Sequence, residues 1–259
     1  MPTELFNDAN IYRLLSHSRL SPFLREEGDY HSAIIAYQWQ MRAQQGLLKP
    51  ISVTEVTVRN AIDAAIQGWW QEQGFKGDWT DRATECPYPL SVFAHVDGWK
   101  SRAAHRMGCR VEDVQHDDII AHIGLGTWRN MVGNPTAVSN SKPKGMERDV
   151  SWEAARQNDI RCAELWKAIL VKAFPNIPHS KRERGGMSPR GYIGVSLSRI
   201  SNLRNRICHW DNMLSVNVSE RYADCKQIVE AIDSDLVLWV SSLCDDEIAM
   251  ISESRPNWI

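Results

Sequence analysis

The stretch Ser201-Asn202-Leu203-Arg204-Asn205-Arg206-Ile207-Cys208-His209-Trp210 gathers the chain's most chemically suggestive residues. Read as a helix, it sets Asn205 and His209 four positions apart, on one face. Arg204 precedes His209 by five positions and lies off that face, but its stem is long and the helix is expected to end near Trp210. Leu203 and Ile207 share another face and would anchor the helix in a core. The three polar groups make a compact anion site. A guanidinium supplies planar donors matched to phosphate. An imidazole, with a reference pKa of about 6.5, moves protons near neutrality. A carboxamide orients the imidazole or holds a phosphate oxygen. Those groups suffice for metal-free cleavage of RNA: the 2′-OH attacks the adjacent phosphorus, His209 moves a proton, and Arg204 neutralises charge on the phosphorane. A single histidine is half of an acid–base pair, so two copies of the site meeting across a dimer axis would complete it. The spacing alone also occurs in helices where both residues are surface groups or satisfied core groups.

The elements that must hold this stretch read as helices. From Ala33 to Met41 apolar residues recur at three and four, with Asp29 as the N-cap. Pro50 fits the first turn of a separate second helix that ends near Gly74. In it, Val53, Val56, Ile62 and Ile66 are expected to share a buried stripe. Residues 74–90, with Gly74, Gly77, Pro87 and Pro89, read as a connection. A helix is expected over Leu90–Met107 and a shorter one over His116–Ile123, followed by a turn at Gly124–Thr127 before Trp128. Residues 133–147 read as a polar surface loop. Ser151–Ala173 reads as a helix closed by Phe174-Pro175, and Asn176–Arg190 as a basic loop. Tyr192–Trp210 would carry the site, and Glu220–Leu243 would be the last long helix. Hairpin signals, internal repeats and nucleotide-binding glycine patterns are absent. The expectation is one all-α domain over 1–259, a helical bundle with inserted helices and loops at about 74–147.

The chain has 259 residues, 43% of them hydrophobic and 24% charged, which excludes a disordered protein. Its formal charge of −2 conceals three blocks: −3 over residues 1–141, +8 over 142–206 and −7 over 207–259. The positive block ends just before His209 and is expected to line an RNA path, with the acidic block facing elsewhere. The N-terminus lacks a secretory pattern, no run is long enough to span a bilayer, and six cysteines show no paired spacing. These features point to reduced thiols in a cytoplasmic protein without a membrane partner. His105 and Cys109 have ligand-like spacing but no second ligand pair, so neither a metal nor another cofactor is expected. Trp69, Trp70, Trp128, Trp152, Trp166 and Trp239 read as core. Trp210, beside His209, fits either base stacking or a bundle cap.

Several segments occur in an order that resembles the Abi-like abortive-infection family, whose members carry a HEPN-type bundle. They are Leu15-Ser16-His17-Ser18-Arg19-Leu20, Ala36-Tyr37-Gln38-Trp39, Thr54-Glu55-Val56-Thr57-Val58-Arg59-Asn60-Ala61-Ile62, Leu125-Gly126-Thr127-Trp128, Phe174-Pro175, and the Arg-x-x-x-x-His pattern in Leu203–His209. Two departures stand out. Trp210-Asp211-Asn212 follows the histidine where members often have a second histidine and an acidic-Pro pair, and Gln40 follows Trp39 where Asn is common. The resemblance implies a ribonuclease toxin of antiphage defence, held silent by a protein or RNA antitoxin. It assigns Arg204, Asn205 and His209 to catalysis and Glu55, Arg59 and Asn60 to a supporting set on a facing helix. From spacing alone, Glu55 and Arg59 fit equally a surface i,i+4 ion pair. Asn60, amid Val58, Ala61 and Ile62, is harder to read as a surface residue. Arg206 and the run Lys181, Arg182 and Arg184 are candidates for RNA phosphate contact, the run fitting a solvated loop equally well. An alternative reading is a helical module that binds RNA or a protein partner without cutting it.

Overall fold

The computed structural model describes residues 7–81, 86–136 and 150–259. Every regular element among them is helical, as the sequence pattern predicts. The helices are α1 (Asp8–Leu15), α2 (His17–Leu20), α3 (Tyr30–Glu72), α4 (Val96–Met107), α5 (His116–His122), α6 (Leu125–Val132), α7 (Val150–Ala168), α8 (Pro189–Cys208), α9 (Val218–Ile232) and α10 (Ser234–Glu253).

The central element is α3, whose 43 residues give a rod about 65 Å long. Asp29 caps it as expected, accepting the Ser32 N–H at 3.1 Å. Pro50 does not start a second helix but sits inside this one. An internal proline costs about 3 kcal/mol. Leu47 and Ile51 on either side of it are fully buried, and burial of each contributes about 1.5–3 kcal/mol. Packing of the rod against α9 and α10 therefore outweighs the break. Continuity across Pro50 also sets the buried face. It runs through Ile51, Thr54, Val58, Ile62 and Ile66, while Val53 is half-buried and Val56 is exposed.

Around this rod, α9 packs on α3, α8 and α10, and α10 packs on α3. These four form the bundle. A second group lies beside it: α4 pairs with α5, and α6 packs on α7 and α8. One continuous core joins the two groups, with Trp39, Trp70, Trp79 and Trp128 fully buried in it. Trp69 and Trp166 are buried as expected, Trp152 is half-buried, and Trp239 is exposed on α10.

Other boundaries differ from expectation for local reasons. The expected last helix is two, because Asp233 is extended and caps α10 by accepting from the N–H groups of Asp235 and Leu236. The site helix starts at Pro189 rather than Tyr192, with Ser188 capping it and proline in its first turn. Ser151–Ala173 breaks at Ile169 into α7 and a 3-10 turn, Leu170–Ala173. The Gly124–Thr127 turn is instead the first turn of α6. From residue 137 onward the expected 133–147 loop lies outside the described residues, with Lys142, Lys144 and Arg148 of the basic block.

Glycine permits one close approach that the fold depends on. A Cβ on Gly194, within α8, would stand 2.1 Å from the Gly133 carbonyl oxygen at the end of α6. The two helices meet there backbone to backbone.

Candidate functional site

Leu203 and Ile207 are buried in the core, so the opposite side of α8 faces solvent. Asn205 and His209 stand exposed on it, and Arg204 is half-exposed. The Arg204 Nε lies 3.8 Å from one carboxylate oxygen of Glu55 on α3. The other Glu55 oxygen accepts the Leu125 N–H at 3.1 Å. That amide is the first of α6, whose N-cap Gly124 has no side chain to cap with. Glu55 thus caps a helix distant in sequence and holds an arginine on another.

Among the described residues, Glu55 forms no ion pair with Arg59. Arg59 instead donates to the Ala121 carbonyl at 3.0 Å, tying α3 to the end of α5. Asn60 is exposed on α3. Of the supporting set, the structure brings Glu55 to the site, while Arg59 fastens its neighbourhood.

The C-terminus of α8 is closed tightly. The Trp210 N–H donates to the Ile207 carbonyl and the Asp211 N–H to the Arg206 carbonyl, at 3.1 and 2.9 Å. This closure puts Trp210 at a φ of 56°, in the left-handed region where glycine is usual. Side chains from three helices then pin the next residues. Arg19 donates to the Trp210 carbonyl (3.1 Å), Gln44 to the Asp211 carbonyl (3.1 Å) and Arg206 to the Asn212 carbonyl (2.7 Å), while Gln40 accepts the Met213 N–H (2.8 Å). The two places where the chain departs from the Abi-like pattern, Gln40 and 210–212, therefore meet at one turn. Gln40 and Gln44 are 1% and 2% exposed. Two polar residues on the buried side of an otherwise apolar helix were the available signal for this role.

Two clefts adjoin the end of α8. One, of about 370 Å³, is lined by Arg199, Asn202, Arg206, Ser215, Asn217 and Arg221 among others. Two of these arginines are tied to the buried Asp224, which pairs with Arg221 at 2.8 Å and Arg199 at 3.4 Å. Burial pushes the Asp224 carboxyl up from the ordinary aspartate range, and the two arginines oppose that shift. The other cleft, of about 300 Å³, lies between the α1–α2 turn and the pinned turn after α8, and Ser16, Ser18, Arg19, Trp210, Asp211 and Asn212 line it.

The basic loop divides. Lys181 and Arg182 are exposed. Arg184 is turned inward and donates to the Met187 carbonyl at 3.1 Å and to those of Pro178 and His179. Its guanidinium closes the loop and is not presented to an external phosphate. Arg190 is likewise spent, on Asp159 at 2.7 Å and the Val132 carbonyl at 3.2 Å. The +8 block is therefore partly an internal scaffold.

Among the described residues, no three His, Cys, Asp or Glu side chains converge as metal ligands would, and no helix is long and apolar enough to cross a membrane. All six cysteines are free. No protein-family description, curated protein or solved structure matches the chain.

Proposed function

We propose that the chain is a metal-independent endoribonuclease of the Abi-like, HEPN-bearing type, working as a homodimer in antiphage defence. The observation that carries this reading is the end of α8. There, an exposed Asn205 and His209 share one face, and beside them Arg204 faces the Glu55 carboxylate.

In the proposed reaction a neutral His209 takes the proton of a ribose 2′-OH as that oxygen bonds to phosphorus. Arg204, whose Nη donors have no partner among the described residues, offsets charge gathering on the non-bridging oxygens. The P–O5′ bond breaks and an imidazolium, the partner subunit's His209, returns a proton to O5′. Asn205, one helical turn before His209, holds a phosphate oxygen or the imidazole. Exposure of the whole set on an open surface suits a site completed by a second copy. Arg206 and Arg199, on the adjoining cleft, would guide the flanking phosphates.

The test is incubation of the purified protein with RNA in EDTA. Fragments ending in 2′,3′-cyclic phosphate, lost with His209→Ala, are expected. Cleavage undiminished in His209→Ala would overturn the assignment. A second reading, a module that binds RNA or a protein partner without cutting, draws on one observation: among the described residues, the His209 side chain has no carboxylate partner to orient it. It predicts salt-sensitive RNA binding and no products.

A further inference from the structure

Among the described residues, only two that are not glycine have positive φ: Ser16 at 77° and Trp210 at 56°. Both line the same 300 Å³ cleft. At Trp210, a bulky residue stands where the helix closure favours glycine, and half of its surface remains in water. Neither backbone preference nor burial accounts for an indole there. The four backbone bonds from Arg19, Gln44, Arg206 and Gln40 hold this turn in one conformation. A strained aromatic on an over-determined turn is the arrangement of a preorganised contact surface.

The two clefts differ in chemistry. The one lined by Arg199, Arg206 and Arg221 sets three arginines against the single carboxylate of Glu220 on its lining, and suits phosphate. In the Trp210 cleft, one Arg19 Nη donates to the Trp210 carbonyl, and the other polar groups are two serine hydroxyls, the Gln40 and Asn212 amides and the Asp211 carboxylate. Among the described residues Asp211 has no cation paired with it. The Arg19 and Asp211 charges offset one another, so this cleft carries no net positive charge to draw a phosphate, and the carboxylate accepts N–H groups. Of the four RNA bases, only guanine offers two adjacent donors, N1–H and N2–H, to a carboxylate on its Watson–Crick edge. Unpaired RNA bases are read on that edge while stacked on an aromatic ring.

From this we infer that the Trp210 cleft is a guanine-selecting subsite beside the cleavage centre, with Trp210 as the stacking platform and Asp211 as the reader of the base edge. The inference rests on RNA being the substrate, but it requires binding and not cleavage.

Equilibrium binding of 2′-deoxy dinucleotides, which cannot be cleaved by this route, tests it. GpU or UpG is expected to bind the wild-type protein at least about tenfold more tightly than UpU, UpA or UpC. Asp211→Asn should bring all of them within about twofold. Trp210→Gly should weaken every dinucleotide about tenfold without lowering the melting temperature, and Trp210→Phe should recover most of the loss. Wild-type affinities within twofold of one another, no binding at millimolar ligand, or a guanine preference that survives Asp211→Asn would each overturn the proposal. Cleavage of the matching ribonucleotides is scored separately. Guanine-selective binding without cleavage upholds the subsite and removes the ribonuclease reading. Cleavage without base preference does the reverse.

Discussion

Glu55 offers the sharpest test of how the site is held. Its carboxylate accepts the first N–H of α6 and faces Arg204 on α8. Glu55→Ala leaves the Leu125 amide without its acceptor, and loss of a helix N-cap costs about 0.5–2 kcal/mol. The Arg204 pair adds little. At 3.8 Å, with the arginine side chain 42% exposed, solvent screening keeps it below about 0.5 kcal/mol. The expected loss for Glu55→Ala is therefore about 1–2 kcal/mol. Glu55→Gln keeps an acceptor for the amide and gives up only charge, so about 0.5 kcal/mol is expected. Urea unfolding at constant m-value reads both. In a chain of this size the melting temperature moves roughly 2–4 °C per kcal/mol. Hydrogen exchange should show the Leu125 amide deprotected in Glu55→Ala and protected in Glu55→Gln. Equal destabilisation by the two variants, or an unmoved midpoint in Glu55→Ala, would refute the capping account.

Three further outcomes follow from contacts elsewhere. Gly194→Ala forces a Cβ against the Gly133 carbonyl, so it should destabilise by about 1–3 kcal/mol despite alanine's better helix propensity; an unchanged urea midpoint would count against the close approach. His116 donates to or accepts from Thr80 (2.8 Å) and meets Asp63 (3.2 Å), which also accepts the Trp79 indole N–H. The hydrogen bond to Asp63 holds the His116 pKa above its usual 6.5, against the opposing effect of burial. A raised histidine stabilises the fold fully below its unfolded value near 6.5, and that contribution fades as pH rises through the folded value. The stability gap between wild type and Asp63→Asn should thus be larger at about pH 6 than at about pH 9. In thiol labelling of the native protein, Cys208, exposed beside His209, should react first, and Cys208→Ser should remove that phase. Burial pushes the Cys162 thiol up to about 11 and that of Cys225 up to about 12, so both should react only on unfolding.

What could be read from the sequence was what is local. The 3.6-residue periodicity and the Asp29 cap are properties of neighbouring residues, and the helical class followed from them. Asn205 and His209 share a face because four residues make about one turn. The Asp233 break and the Ser188-Pro189 start are also written locally, as cap residues. Other features had no local trace. The first turn of α6 exists because Glu55, seventy positions earlier, supplies the cap. The passage of α3 through Pro50 depends on two partner helices that come after residue 200 in the chain. Arg184 and Arg190 read as basic surface residues until the carbonyls and the carboxylate that engage them are seen. Side-chain direction in a loop is set by tertiary partners, so a run of positive charge does not reveal which members reach solvent.

Glu55, Leu125, Gly133, Gly194 and Arg204 trace a closed figure. Glu55 touches the first residue of α6 and an arginine near the end of α8, while the far end of α6 rests directly on the backbone of α8 at Gly194. Two of these contacts, the cap and the glycine approach, are close, and the third, to the arginine, is loose. The register of α8 against α3 is therefore tied to the length of α6, an element that carries none of the proposed chemistry. Adding a single residue to α6 would turn its end by about 100° and lift Gly133 off Gly194 without altering any group at the site.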